Sequence, residues 1–66
     1  MFEKTKVQLE RYWSKLMRED DCGIRSRIYF IMFGMVELAT ALTDNPVEKQ
    51  SLFDLWDDYA LRYYSL

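Results

Sequence analysis

Apolar positions along this chain recur at spacings of three and four, the period of an α-helix, and nowhere alternate as they would in a strand. In the first segment Phe2, Leu9, Tyr12, Trp13, Leu16 and Met17 fall within an arc of roughly 140° when residues advance by about 100° each. That pattern predicts an amphipathic helix over about residues 2–19, ended by Asp20-Asp21-Cys22-Gly23, where Gly23 gives the backbone freedom to turn. A second helix is expected from Ile24 or Arg25 to Thr43. Its residues Ile24, Ile28, Ile31, Met35, Leu38 and Leu42 form a heptad-like seam suited to one neighbouring helix. Tyr29, Met32, Phe33, Val36 and Ala39 add a second apolar flank, and together the two cover roughly 220° of the circumference. Ser26, Arg27 and Glu37 mark a narrow polar strip, into which Phe30 intrudes. The third helix opens at Asn45-Pro46-Val47-Glu48, which reads as an N-cap, a proline at the first helical position and a capping-box glutamate. Leu52, Phe53, Leu55, Trp56, Tyr59, Ala60, Tyr63 and Tyr64 make its apolar arc, with Asp54, Asp57 and Asp58 opposite. The expectation is one small all-α domain over residues 1–66, a three-helix bundle with helices near 2–19, 25–43 and 46–64.

Length sharpens the picture. Sixty-six residues lie near the lower limit for a hydrophobic core that folds alone, and such domains lean on disulfides, metals, oligomerisation or dense packing. The one cysteine, Cys22, closes no intrachain disulfide, and with no histidine a structural zinc site is not expected. Half the residues are apolar and eleven are aromatic, which leaves packing and self-association. Two sister helices would cover about half of the second helix, so we expect an oligomer, either a homodimer or a tight complex with another protein. The residues expected at that interface are Tyr29, Phe30, Phe33, Trp56, Tyr59, Tyr63 and Tyr64.

The net charge of −2 conceals an asymmetry. Residues 1–33 hold seven basic side chains against five acidic ones, while residues 34–66 hold two against six. Such a chain either pairs head to tail with a copy of itself or has two differently solvated ends. Lys4, Arg11, Lys15 and Arg18 lie within about 60° of one another on the first helix, opposite its apolar arc. They form a stripe that could follow a phosphate backbone, or else an ordinary polar face tempered by Glu3, Glu10 and Glu19.

Catalytic chemistry finds little to work with. There is no histidine to act as a base, and Cys22 sits beside Asp20 and Asp21, surroundings that work against a reactive thiolate. Asp54 and Asp58 stand one turn apart on the solvent side, where a solvated acidic face is the expected role. The two glycines form no phosphate-cradling loop, so neither enzyme activity nor a cofactor is expected. The N-terminus opens with alternating charges in place of a signal sequence, and the stretch from Ile28 to Leu42 is shorter than the ~20 residues of a membrane span. A free thiol and no span point to a cytoplasmic protein.

The segment Ser26-Arg27-Ile28-Tyr29-Phe30-Ile31-Met32, followed by Val36-Glu37-Leu38, resembles a signature near the end of the HEAT-type middle domain of eukaryotic translation-initiation scaffold proteins. In that family a helix carrying aromatic residues leads into a Ser-Arg-Ile segment and then an apolar helix with an acidic-Leu pair. Leu9, Tyr12, Trp13 and Leu16 stand where the leading helix would, so the resemblance covers about residues 9–38. Tyr29, Gly34 and Ala39 replace residues that tend to be charged in the family, and the Asn45-Pro46 helix stands in place of its tryptophan-containing tail. The resemblance implies a helix-pair binding module, and it assigns helicase or RNA contacts to no residue here. On all these grounds the chain is expected to be a small regulator or adaptor that binds protein, with nucleic-acid binding through the basic stripe as the alternative.

Overall fold

The computed structural model describes residues 2–66 and consists of three helices: α1 (Phe2–Arg18), α2 (Cys22–Leu42) and α3 (Pro46–Tyr64). No strand occurs among the described residues. The start of α1 (Thr5, Gln8) lies beside the end of α2 (Leu38, Leu42), so these two helices are antiparallel. The Ser26 and Tyr63 hydroxyls, from the start of α2 and the end of α3, are hydrogen-bonded at 3.1 Å, so this pair is antiparallel too. The result is an up-down-up bundle measuring 37 × 18 × 15 Å.

Helices α2 and α3 begin where a side chain takes over their orphan amides. Asn45 Oδ1 accepts from the Val47 and Glu48 amides at 2.9 and 3.2 Å, with Pro46 at the first helical position, as the sequence predicts. The reciprocal half of a capping box is not used, because the Asn45 amide donates to Thr43 Oγ1 at 3.3 Å. The start of α2 corrects the expectation. Asp21 is its N-cap, accepting from Gly23 N at 2.8 Å and Ile24 N at 3.1 Å, so Gly23 lies inside the first turn and not in the link. No residue here has positive φ. The chain turns instead at Glu19–Asp21, where the Glu19 carboxylate accepts from the amides of Asp20 and Asp21 and the Glu19 carbonyl from Arg25 Nε. An aspartate that accepts two amides outweighs a glycine as a boundary signal.

The core is thin. Leu9, Met32, Val36, Ala39, Leu52 and Tyr59 form one buried cluster, with Phe2, Tyr12, Trp13, Ile28, Met35, Leu55 and Trp56 packed around it. Leu16 is also fully buried, and Thr5 and Thr43 are nearly so. Met17, expected on the buried arc of α1, is exposed because that arc centres on Thr5, Leu9 and Leu16 and Met17 lies beyond its edge.

The largest departure concerns α2. Its seam was expected to face a neighbour, yet Ile24, Ile31, Leu38 and Leu42 are exposed and only Ile28 and Met35 are half-buried. The residues that face the core are Tyr29, Met32, Val36 and Ala39, from the second flank. The cause is geometric. Two neighbours cover the middle of a wide apolar arc and leave both margins, the seam on one side and Phe33 on the other.

Gly34 sits mid-helix in α2 with open space where a Cβ would stand. Glycine disfavours a helix interior, so Gly34→Ala should raise monomer stability by about 0.8–1 kcal/mol, read as a higher midpoint in chemical denaturation. A loss of stability would show that the helix is strained at this point.

Candidate functional site

Two exposed apolar surfaces flank α2, and they differ in chemistry. The first is aromatic and lies along α2 and α3. Tyr29 stacks on Tyr63 (centroids 4.0 Å apart, planes at 11°) and packs against Trp56 at 4.9 Å. Phe33 meets Trp56 at 5.5 Å, while Tyr64 and Phe30 approach the Tyr29 ring edgewise at 6.2 and 6.3 Å. Of the seven residues expected at an interface, Tyr29 and Tyr59 are 9% and 4% exposed and belong to the intrachain core. A core with so few fully buried aliphatic side chains is completed by these rings, which correct the sequence reading of them as outward surface. Trp56 and Tyr63 are half-buried, and Tyr63 is tied to Ser26. Phe30, Phe33 and Tyr64 remain as surface, with Phe30 at 68% and Tyr64 at 80% exposure. Phe53 and Leu61 of α3 are exposed as well. Phe53, expected on the apolar arc of α3, thus lies at its exposed margin.

The second surface is the α2 seam together with the groove it forms against α1. A shallow hollow of about 210 Å³ has Met35, Leu38, Ala39 and Leu42 on the α2 side and Lys4, Thr5 and Gln8 on the α1 side. Gln8 also borders an adjoining hollow formed by α1 alone, with Arg11, Tyr12, Lys15 and Arg18 in its lining, so the apolar hollow and the basic stripe meet at Gln8. All four stripe cations, Lys4, Arg11, Lys15 and Arg18, are exposed. Lys15 Nζ lies 4.8 Å from the Tyr12 ring centroid, and Arg18 Nε donates to the Ser14 carbonyl at 3.2 Å. The seam spacing was visible in the sequence, but its outward direction was not.

The acidic side of α3 is solvated. Asp54 accepts from Gln50 Nε2 at 3.0 Å, and Asp58 pairs with Arg62 at 2.7 Å, both partners being half exposed. Asp54 and Asp58 thus serve separate helix-surface contacts. Among the described residues no group of three His, Cys, Asp or Glu could hold a metal ion, and no buried side-chain polar atom lacks a partner. No helix of the described residues is long and apolar enough to cross a membrane.

Burial holds the phenol of Tyr29 above its ordinary value of 10.0, with Tyr64 and Tyr63 adding to the rise. The Tyr59 phenol is raised as well, by burial first and then by Glu10 and Asp58, against an opposing effect of Arg62. A raised folded-state value means that folding favours the protonated phenol. The associated stabilisation is complete below pH 10.0 and is lost as pH climbs through the folded-state values. Absorbance titration of tyrosinate should therefore show components above pH 10.0 that disappear in Tyr29→Phe and Tyr59→Phe, with helical circular dichroism falling in step. If both phenols titrate at 10.0 while the helices persist, the aromatic packing described here is wrong.

Comparison of the chain with protein-family models, curated proteins and solved structures finds no match.

Proposed function

We propose that this chain is a non-enzymatic helical interaction module, a small cytoplasmic regulator or adaptor that works as a homodimer and binds protein. The observation that carries the reading is the amount of apolar surface left after the bundle has closed. Phe30, Leu38, Leu42, Leu61 and Tyr64 are each more than 60% exposed, on a chain with a total accessible surface of 4678 Å². Large apolar patches on a soluble surface are favoured interaction sites, because burying them releases the water held against them. The aromatic edge of Phe30, Phe33, Phe53 and Tyr64 suits pairing with a second copy, since rings contribute much contact area for little lost side-chain freedom. The resemblance of residues 9–38 to a scaffold helix pair points in the same direction, toward a helical hairpin used for docking.

Sedimentation equilibrium at micromolar concentration tests this. Twice the monomer mass is expected for the parent chain, and monomer mass for Phe30→Ser/Tyr64→Ser, whose positions are exposed enough to leave the fold intact. A parent chain that stays monomeric and binds no protein overturns the reading.

The second reading, nucleic-acid binding, is favoured by one observation: the four stripe cations are all exposed, with Tyr12 beside them. It predicts salt-dependent binding of a generic oligonucleotide that Lys15→Glu or Arg18→Glu weakens several-fold. Absence of binding at ~50 mM salt removes it.

A further inference from the structure

Building on the interaction-module reading, we infer that the groove between α1 and α2 docks an acidic amphipathic helix of a partner protein. The hollow against α1 is formed at Met35, Leu38, Ala39 and Leu42, and the outward seam continues from it through Ile31 to Ile24, with Ile28 and Met35 half-buried. From residue 24 to residue 42 the seam runs for about 27 Å at 1.5 Å per residue, enough for five turns of a second helix. Its 3–4 spacing is the one that apolar positions on an opposing helix can match, knob into hole. On the far side from α1, Gly34 and Ala41 leave a low rim, and nothing stands within 4 Å of the place where a Gly34 Cβ would be.

Charge selects the occupant. Lys4 lines the groove at its Leu42 end, and beyond Gln8 the rest of the stripe continues along α1, which runs antiparallel to α2, so that Arg18 lies toward the Ile24 end. A helix lying on the seam would therefore have one flank along Lys4, Arg11, Lys15 and Arg18. Carboxylates on that flank gain from the cations, while lysines or arginines are repelled. The same charges count against a second copy in this groove. A two-fold pairing of seams in antiparallel register would bring two like-charged stripes to the same side of the contact, and seating α3 of a second copy there would be a heterologous contact that fails to close. Nucleic acid would use the stripe but would gain little from four exposed aliphatic side chains.

Calorimetric titration of the full chain decides the matter. The probe is a synthetic peptide of about 21 residues with leucine at 3–4 spacing, glutamate on both flanks and alanine elsewhere, about the length that the seam accommodates. It should bind, and the same peptide with lysine for every glutamate should bind at least ~10-fold more weakly. Ile31→Ala/Leu38→Ala should weaken the acidic peptide ~10-fold or more while leaving the fold unchanged, since alanine favours a helix and both sites are exposed. Lys15→Glu should weaken it several-fold and flatten its salt dependence. Equal affinity for the acidic and basic peptides overturns the inference, as does indifference to the Ile31/Leu38 pair. Self-association abolished by that pair gives the groove to a second copy. An oligonucleotide that competes with the peptide but ignores the pair gives the stripe to nucleic acid. Failure of the peptide alongside a dimer that Phe30→Ser/Tyr64→Ser dissolves removes the groove while the module stands; failure of both removes the module.

Discussion

Two helices cannot cover a third whose apolar surface extends around roughly 220° of its circumference, and most of this molecule follows from that. The third helix is α2. Its neighbours α1 and α3 meet it along the middle of the arc, where Tyr29, Met32, Val36 and Ala39 are buried. The two margins are then exposed by necessity. One becomes the aliphatic seam bordering α1, and the other the aromatic edge shared with α3. A narrower arc on α2 would have produced the same bundle with an ordinary polar exterior.

The chain's small size makes this arrangement tighter than it would be in a larger bundle. Only Leu9, Leu16, Met32 and Leu52 are buried completely among its larger side chains. The rest of the interior is completed by rings, as where Tyr29 stacks on Tyr63, whose hydroxyl meets Ser26. Tyr29 and Tyr59 lie inside because they share a helix face with Met32 and Val36 and with Leu52, while Phe30 and Phe53 fall off those faces and lie outside, the reverse of their hydropathy order.

The same reasoning explains which features could be read from the sequence. Local chemistry was legible: Asn45 and Pro46 mark the start of α3 to the residue, because the cap and the missing proline amide are satisfied within four residues of chain. Asp21 carried an equally local signal, but the nearby glycine obscured it, and α2 begins ahead of Gly23. Direction was not legible. The spacing of Ile24, Ile31, Leu38 and Leu42 identifies a stripe, but whether that stripe faces inward depends on where α1 and α3 settle, and each settles by burying its own best arc. When an arc is wider than the available cover, periodicity alone does not say which part of it is left out. The stripe of Lys4, Arg11, Lys15 and Arg18 was visible as a charge pattern, whereas its adjacency to the exposed seam emerges only from the antiparallel register of α1 and α2.

The separation of the two margins has a further consequence for the proposed assembly. They lie on different sides of α2 and differ in character, one aliphatic beside the basic stripe and one aromatic with both Asp57 and Arg25 beside Tyr64. If the aromatic edge pairs two copies, the contact is isologous and closed, and each copy loses the same patch. Neither groove is consumed by that pairing, because the seam of α2 points away from α3. A closed dimer of this kind would carry two identical grooves at a fixed spacing, so a partner with two acidic helices could engage both and gain avidity without any new contact. Had both margins been aliphatic, one surface would compete with the other for the same occupants. In the proposed assembly, the separation of aromatic from aliphatic surface is what would let one short helix serve two contacts at once.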